Sequence, residues 1–136
     1  MKRLVFVAED NATYQKLLEI HIRAKFGECE VCAFSNPSAM LERLNEKPAA
    51  VVMDHFYADG SMTGIDYLSQ LKKANRAIPV IYYTTMDDDR VREEAMKLGA
   101  EAYIIRDGAS YNTLEKTLDD VLKKSQKGLL NRFLGK

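Results

Sequence analysis

The stretch Ala49-Ala50-Val51-Val52-Met53-Asp54 decides the fold of this chain. It is an unbroken apolar run with no polar alternation, the pattern of a strand covered on both faces, and it stops abruptly on a carboxylate. Working outward, four more runs of this kind appear. Residues 4–8 run up to Glu9-Asp10, residues 31–34 form a second core, residues 80–83 run into Thr84-Thr85, and residues 102–105 run into Arg106-Asp107-Gly108. The segments between them have helical period. Asn11 is placed to cap a helix carrying Tyr14, Leu17, Leu18, His21 and Ile22, with Gly27 as its stop. Asn36-Pro37-Ser38 opens a short helix with Met40, Leu41 and Leu44, and Gly64 to Leu68 opens another that uses Ile65, Leu68 and Leu71. The acidic cluster at 87–89 suits a helix N-terminus through the dipole, and Gly99 ends that helix after Leu98. Ser110 is expected to cap a last helix with Leu114, Leu118, Val121 and Leu122. The order (βα)5 predicts an α/β chain: a parallel sheet between two layers of helices.

The chain has 136 residues, the length of one domain. Its 46% apolar and 29% charged residues describe a globular protein. Twenty basic and twenty acidic residues cancel, which argues against a broad polyelectrolyte contact with nucleic acid or anionic lipid. No apolar run approaches the roughly 18 residues that span a bilayer. The N-terminus turns acidic at Glu9, too soon for a secretory signal. The expectation is a cytoplasmic protein with no transmembrane segment. Cys29 and Cys32 have zinc-like spacing, but on a strand they project to opposite faces and read as two unpaired thiols.

In sheets of this kind, sites form beyond the carboxyl ends of the strands. Those ends carry Glu9 and Asp10, Asp54, Thr84 and Thr85, and Arg106. Three carboxylates gathered at one rim repel unless a cation sits among them. Hard oxygen donors with room for water suit Mg²⁺. An Asp beside such an ion can attack phosphorus, and a hydroxyl and a cation nearby can stabilise the charge that develops.

Taken together, Val7-Ala8-Glu9-Asp10-Asn11, Val51-Val52-Met53-Asp54, Gly64-Ile65-Asp66-Tyr67-Leu68, Ile78-Pro79-Val80-Ile81-Tyr82-Tyr83-Thr84 and Gly99-Ala100-Glu101-Ala102-Tyr103-Ile104-Ile105-Arg106 resemble the response-regulator receiver domain of two-component signalling. The resemblance covers residues 2 to about 124 and implies a flavodoxin-like sheet of order 2-1-3-4-5. It implies Asp54 as phosphoacceptor, with Glu9, Asp10, Asp54 and the Phe56 backbone carbonyl holding Mg²⁺. It implies Thr84 and Tyr103 as switch residues, Arg106 as the cation that contacts the phosphoryl group, and Thr85 as the neighbour governing phosphate access. A sensor histidine kinase or histidine phosphotransfer protein would be the donor, and a protein effector the output, with a homodimer as a further option. Residues 1–124 would be the receiver and 125–136 an extension without an output domain, so direct DNA binding is not expected. The chain would act on itself only, by self-phosphotransfer and autodephosphorylation, and not as an enzyme with a diffusible substrate. The alternative is a degenerate receiver that binds partners without phosphorylation.

Four features depart from the family pattern. Arg106 stands in place of lysine, Asp107 in place of proline, Glu9 in place of the commoner aspartate, and the loop from Asp54 to Gly64 is long and lacks its proline. A haloacid-dehalogenase-type phosphohydrolase would need an acid where Phe56 stands. A flavodoxin would need a hydroxyl-rich phosphate loop where Glu9-Asp10-Asn11 stands. His55 next to Asp54 invites a proton relay, but neighbouring strand residues point apart.

Overall fold

The structure, a computed structural model, describes residues 3–58, 60 and 62–133, with the side chains of those up to 124. Five strands, β1 (Arg3–Ala8), β2 (Cys29–Phe34), β3 (Ala50–Met53), β4 (Val80–Thr84) and β5 (Ala102–Ile105), alternate with helices α1 (Ala12–Lys25), α2 (Pro37–Leu41), α3 (Gly64–Ala74), α4 (Asp89–Lys97) and α5 (Ser110–Phe133). All four strand pairings are parallel, in the order β2-β1-β3-β4-β5. The expected flavodoxin-like order is therefore present.

Strand alternation divides the core in two. Val5, Val7, Val52, Ile81 and Tyr83 face one way and pack with Leu18 and Ile22 of α1 and Leu114 and Leu118 of α5. Phe6, Val51, Met53, Val80 and Tyr82 face the other way, toward Met40, Leu68, Leu71 and Ala95 of α2, α3 and α4. Every residue of β3 and β4 is buried, which explains their unbroken apolar sequence. Cys29 belongs to the first cluster and Cys32 packs against the second; both are free thiols.

Several local expectations hold and others need correction. Asn11 accepts from the Tyr14 N–H, Asn36 from Ser38, and Asp88 from Arg90 and Val91, so each caps its helix. Gly99 ends α4 at φ +108°, where a β-carbon is strained. Gly27 does not stop α1: the helix ends at Lys25 with Phe26 as its cap, and no left-handed residue is used there. The helix after Asn36 stops at Leu41, and Leu44 falls in a separate 3₁₀ turn, Leu44–Glu46. Ser110 does not cap α5 but is its first residue. Its Oγ donates to Asp107 O at 2.8 Å and accepts from Asp107 N at 3.0 Å, pinning the turn that follows β5. The backbone of α5 continues past residue 124 to Phe133, while the side chains of the 125–136 extension lie outside the described residues. No described helix is long and apolar enough to cross a membrane.

Candidate functional site

Register gathers the site. Ala8 pairs with Met53, so the next residues, Glu9 and Asp54, leave adjacent strands side by side. Thr84 pairs with Ile105, and the Arg106 N–H donates to Thr84 O at 2.8 Å, so Arg106 leaves β5 at the same rim. Alternation also fixes direction: Glu9 continues the parity of Val7, Asp54 that of Val52, and Arg106 that of Ile104. All three are thereby sent to the side of the sheet that α1 and α5 cover.

The result is a buried ion pair. Arg106 Nη2 lies 2.8 Å from Glu9 Oε1, with the side chains 10% and 2% exposed. The second Glu9 oxygen accepts from the Asn11 N–H at 3.0 Å. The guanidinium sits 4.8 Å from the Tyr14 ring centre and 4.7 Å from that of Tyr83, close enough for cation–π attraction to both. Burial pushes the Glu9 carboxyl above its ordinary value. The Asn11 N–H and Arg106 pull it back down, and the charge of Asp54 pushes it further up. Burial disfavours the charge on Arg106, but Glu9 outweighs it and holds the guanidinium above its ordinary value, with a smaller contribution from Asp54. Glu9, Asp54 and Arg106 thus share one electrostatic environment.

Asp54 is 8% exposed, and its Oδ1 accepts from the His55 N–H at 2.6 Å. Three residues around it were not assigned a polar role from the sequence. The Tyr57 phenol accepts from Asp54 N at 2.9 Å and donates to Ala8 O at 3.0 Å, tying the ends of β1 and β3 together. The Tyr82 hydroxyl lies 2.6 Å from His55 Nδ1. Gly64, whose N–H donates to His55 O at 2.9 Å, approaches so closely that a β-carbon there would overlap Asp54 O and the Tyr82 hydroxyl. The His55 side chain takes the α3/α4 side while Asp54 takes the other, so the pair points apart as expected.

The remaining site residues are placed as follows. Thr84 is fully buried, and its Oγ1 accepts from Met86 N at 3.1 Å. Tyr103 stacks on Tyr82 with ring centres 5.1 Å apart, donates to Met86 O at 2.5 Å and lies under Arg92. Burial raises its phenol to about 12. Thr85 is exposed and Asp10 is half-buried. The Phe56 ring is exposed, edge-on to His55 at 5.2 Å. The Asp87–Asp89 cluster serves as a helix cap through Asp88.

The oxygen donors of Glu9, Asp10 and Asp54 match the chemistry of a hard cation. Glu9 Oε1 in particular is a buried oxygen with no hydrogen-bond donor among the described residues, facing only the Arg106 charge. The donor set therefore fits Mg²⁺ in kind. In the arrangement described, however, no three acidic, histidine or cysteine side chains converge closely enough to share an ion among the described residues.

Comparison with known proteins agrees with this geometry. Residues 5–124 match the response regulator receiver domain family, and the chain belongs to it. It is 24% identical over 120 residues to the transcriptional regulatory protein YdfI of Bacillus subtilis, which covers 88% of this chain and 54% of YdfI. The chain thus spans about half the length of that relative. Among solved structures, a response regulator receiver domain protein of Clostridium thermocellum superposes with a TM-score of 0.79 at 23% identity, covering 94% of this chain and 98% of that one. A CheY-like receiver domain protein of Methanospirillum hungatei superposes with a TM-score of 0.82 at 16% identity, covering 94% and 99%. These two likenesses show the receiver fold. Receiver domains generally bind Mg²⁺ at the phosphorylation site and work with histidine kinases or phosphotransfer proteins.

Proposed function

We propose that these residues form a phosphorylation-dependent switch in which Asp54 accepts a phosphoryl group from a phosphohistidine of a sensor kinase or phosphotransfer protein. One observation carries the reading: a buried carboxylate at the end of β3 shares a rim with a second acid, a cation and a buried threonine. In the transfer, a carboxylate oxygen of Asp54 forms the new O–P bond as the P–N bond of the donor breaks, and the departing imidazole takes a proton from solvent. The His55 N–H, already on Oδ1, holds the attacking carboxylate in place. Glu9, Asp10, Asp54 and the Phe56 carbonyl would hold Mg²⁺, which when bound shields the negative charge that meets here.

The added charge would draw in Thr84 and Arg106 and bias a two-state equilibrium that reaches Tyr103. The readout surface is α4, β5 and α5, and its partner is a protein effector or a second copy. The zero net charge gives no support for DNA as a direct partner of these residues. The phosphoryl group is returned to water by the same site, so the chain acts on itself alone. As the target of a histidine kinase it would work in the cytoplasm.

The test is incubation with Mg²⁺ and a small acyl phosphate, followed by intact-mass measurement. Wild type gains one phosphoryl group and Asp54→Ala gains none. An unmodified wild type, or equal gain in the variant, rejects the reading. The Glu9–Arg106 pair favours the second reading, a degenerate receiver that binds partners unphosphorylated, and an unmodified wild type would select it.

A further inference from the structure

Arg106 is held from three sides. Glu9 pairs with it at 2.8 Å, and the rings of Tyr14 and Tyr83 flank its guanidinium at 4.8 and 4.7 Å. The Tyr83 clamp is itself fixed, with its hydroxyl 2.6 Å from Ser110 Oγ, which is bonded in turn to Asp107. A planar guanidinium stacks on aromatic faces and sheds water more readily than an ammonium, so this pocket suits arginine better than lysine. Both oxygens of Glu9, meanwhile, face a positive or N–H group among the described residues. Oε2 is engaged by Asn11 N and Oε1 faces Arg106 alone. A tethered positive charge already sits where the acids need a cation.

We propose that Arg106 is an internal competitor for the divalent ion: its guanidinium holds Glu9 in the metal-free protein, and Mg²⁺ enters the acid pocket only by displacing it. This rests on the reading of Glu9, Asp10 and Asp54 as the metal side of the pocket. Two like-signed cations cannot both occupy the low-dielectric space beside one carboxylate without strong repulsion. Metal affinity is therefore set by residues that never touch the ion, Arg106 and its aromatic clamp. Tyr14 is the accessible part of that clamp, with 43% of its surface exposed, so it can be truncated without opening the core.

The experiment is calorimetric titration of the full chain with Mg²⁺ alone, for wild type, Arg106→Ala and Tyr14→Ala. Arg106→Ala should bind about tenfold tighter than wild type, the size of effect that residues around a metal's ligands typically exert. Tyr14→Ala should shift in the same direction by less, and it carries the test if Arg106→Ala fails to fold. Measured against Glu9→Gln alone, adding either variant to Glu9→Gln should bring no gain. Affinity equal to or weaker than wild type in the foldable variants, or a gain that survives Glu9→Gln, overturns the proposal and leaves the metal site standing. No Mg²⁺ binding by any variant overturns both, while phosphoryl acceptance by Asp54 is read separately from the mass.

Discussion

His55 Nδ1 and the Tyr82 hydroxyl meet at 2.6 Å in the interior, one residue from the candidate phosphoacceptor. The contact joins the end of β3 to the middle of β4, and the Tyr82 ring continues it by stacking on Tyr103. A chain of contacts thus runs from the Asp54 backbone to the β5 surface that the proposed switch would use. Tyr82→Phe removes one hydroxyl and leaves a buried imidazole nitrogen without its partner. The expected loss is about 1–3 kcal/mol of stability, from the desolvation of an unsatisfied buried group. Urea denaturation checks it, and an unchanged midpoint would show that His55 finds another partner.

His55 also predicts a pH dependence. Burial lowers its pKa below the ordinary 6.5, against the opposing pull of Asp54 and other acids. The unfolded chain therefore binds the proton first, and stability rises with pH from the folded value up to 6.5. Acidification through that window destabilises the protein. Glu9 acts with the opposite sign: its carboxyl is raised above 4.5, so its contribution falls as pH rises from 4.5 toward the folded value. Comparing wild type with His55→Asn in metal-free buffer isolates the histidine. The variant should show a flatter acid limb, by less than about 1.4 kcal/mol per pH unit, the ceiling for a single proton. Parallel stability curves for the two proteins would refute the assignment.

Much of this was legible in the sequence because strands β1, β3 and β4 are buried on both faces and write themselves as apolar runs. The carboxyl-end rule then located Glu9, Asp54, Thr84 and Arg106 at one rim without any coordinates. What stayed hidden were contacts that depend on which side of the sheet a residue leaves. Arg106 and Glu9 lie 97 positions apart, and only the parity of two strands together sends them to the same side. The polar role of Tyr82 stayed hidden because a phenol looks apolar in a hydrophobic run, and that of Tyr57 because the partners of its hydroxyl are named by tertiary structure alone. Gly27 and Ser110 misled for a local reason. Each is a preferred terminator or cap, but Phe26 and the Asp107 turn satisfied the helix ends first.

Gly64 was read only as a helix start, yet it faces the tightest approach in the site. A β-carbon there would meet Asp54 O, the Tyr82 hydroxyl and, at 2.9 Å, the His55 Cα. Two of these are backbone atoms of the segment that carries Asp54 and cannot rotate away. Gly64→Ala should therefore cost about 1–3 kcal/mol through overpacking, despite the better helix propensity of alanine. It should also shift the His55 and Asp54 amide resonances. A neutral or stabilising effect would mean that the loop after β3 has room to move.

The Glu9–Arg106 pair allows a sharper test, because removing one partner and removing both have opposite expected signs. Glu9→Met leaves a guanidinium nine-tenths buried with no carboxylate, and Arg106→Met leaves a nearly inaccessible carboxylate with no cation. Breaking a buried pair in this way typically costs about 3–5 kcal/mol. The pair's own attraction, by contrast, is largely offset by the desolvation of both charges, so replacing both with apolar groups of similar volume is often neutral or stabilising by about 1–4 kcal/mol. The double variant should therefore be more stable than either single one, with a large coupling energy in a double-mutant cycle. Arg106→Met carries the smaller penalty of the two, because its carboxylate partner can take up a proton: burial already raises that pKa, whereas a guanidinium cannot shed its charge. Denaturant midpoints of the four proteins decide it. Additive losses would mean that the two side chains do not sense each other, and the ion pair would then have no place in the account of the site.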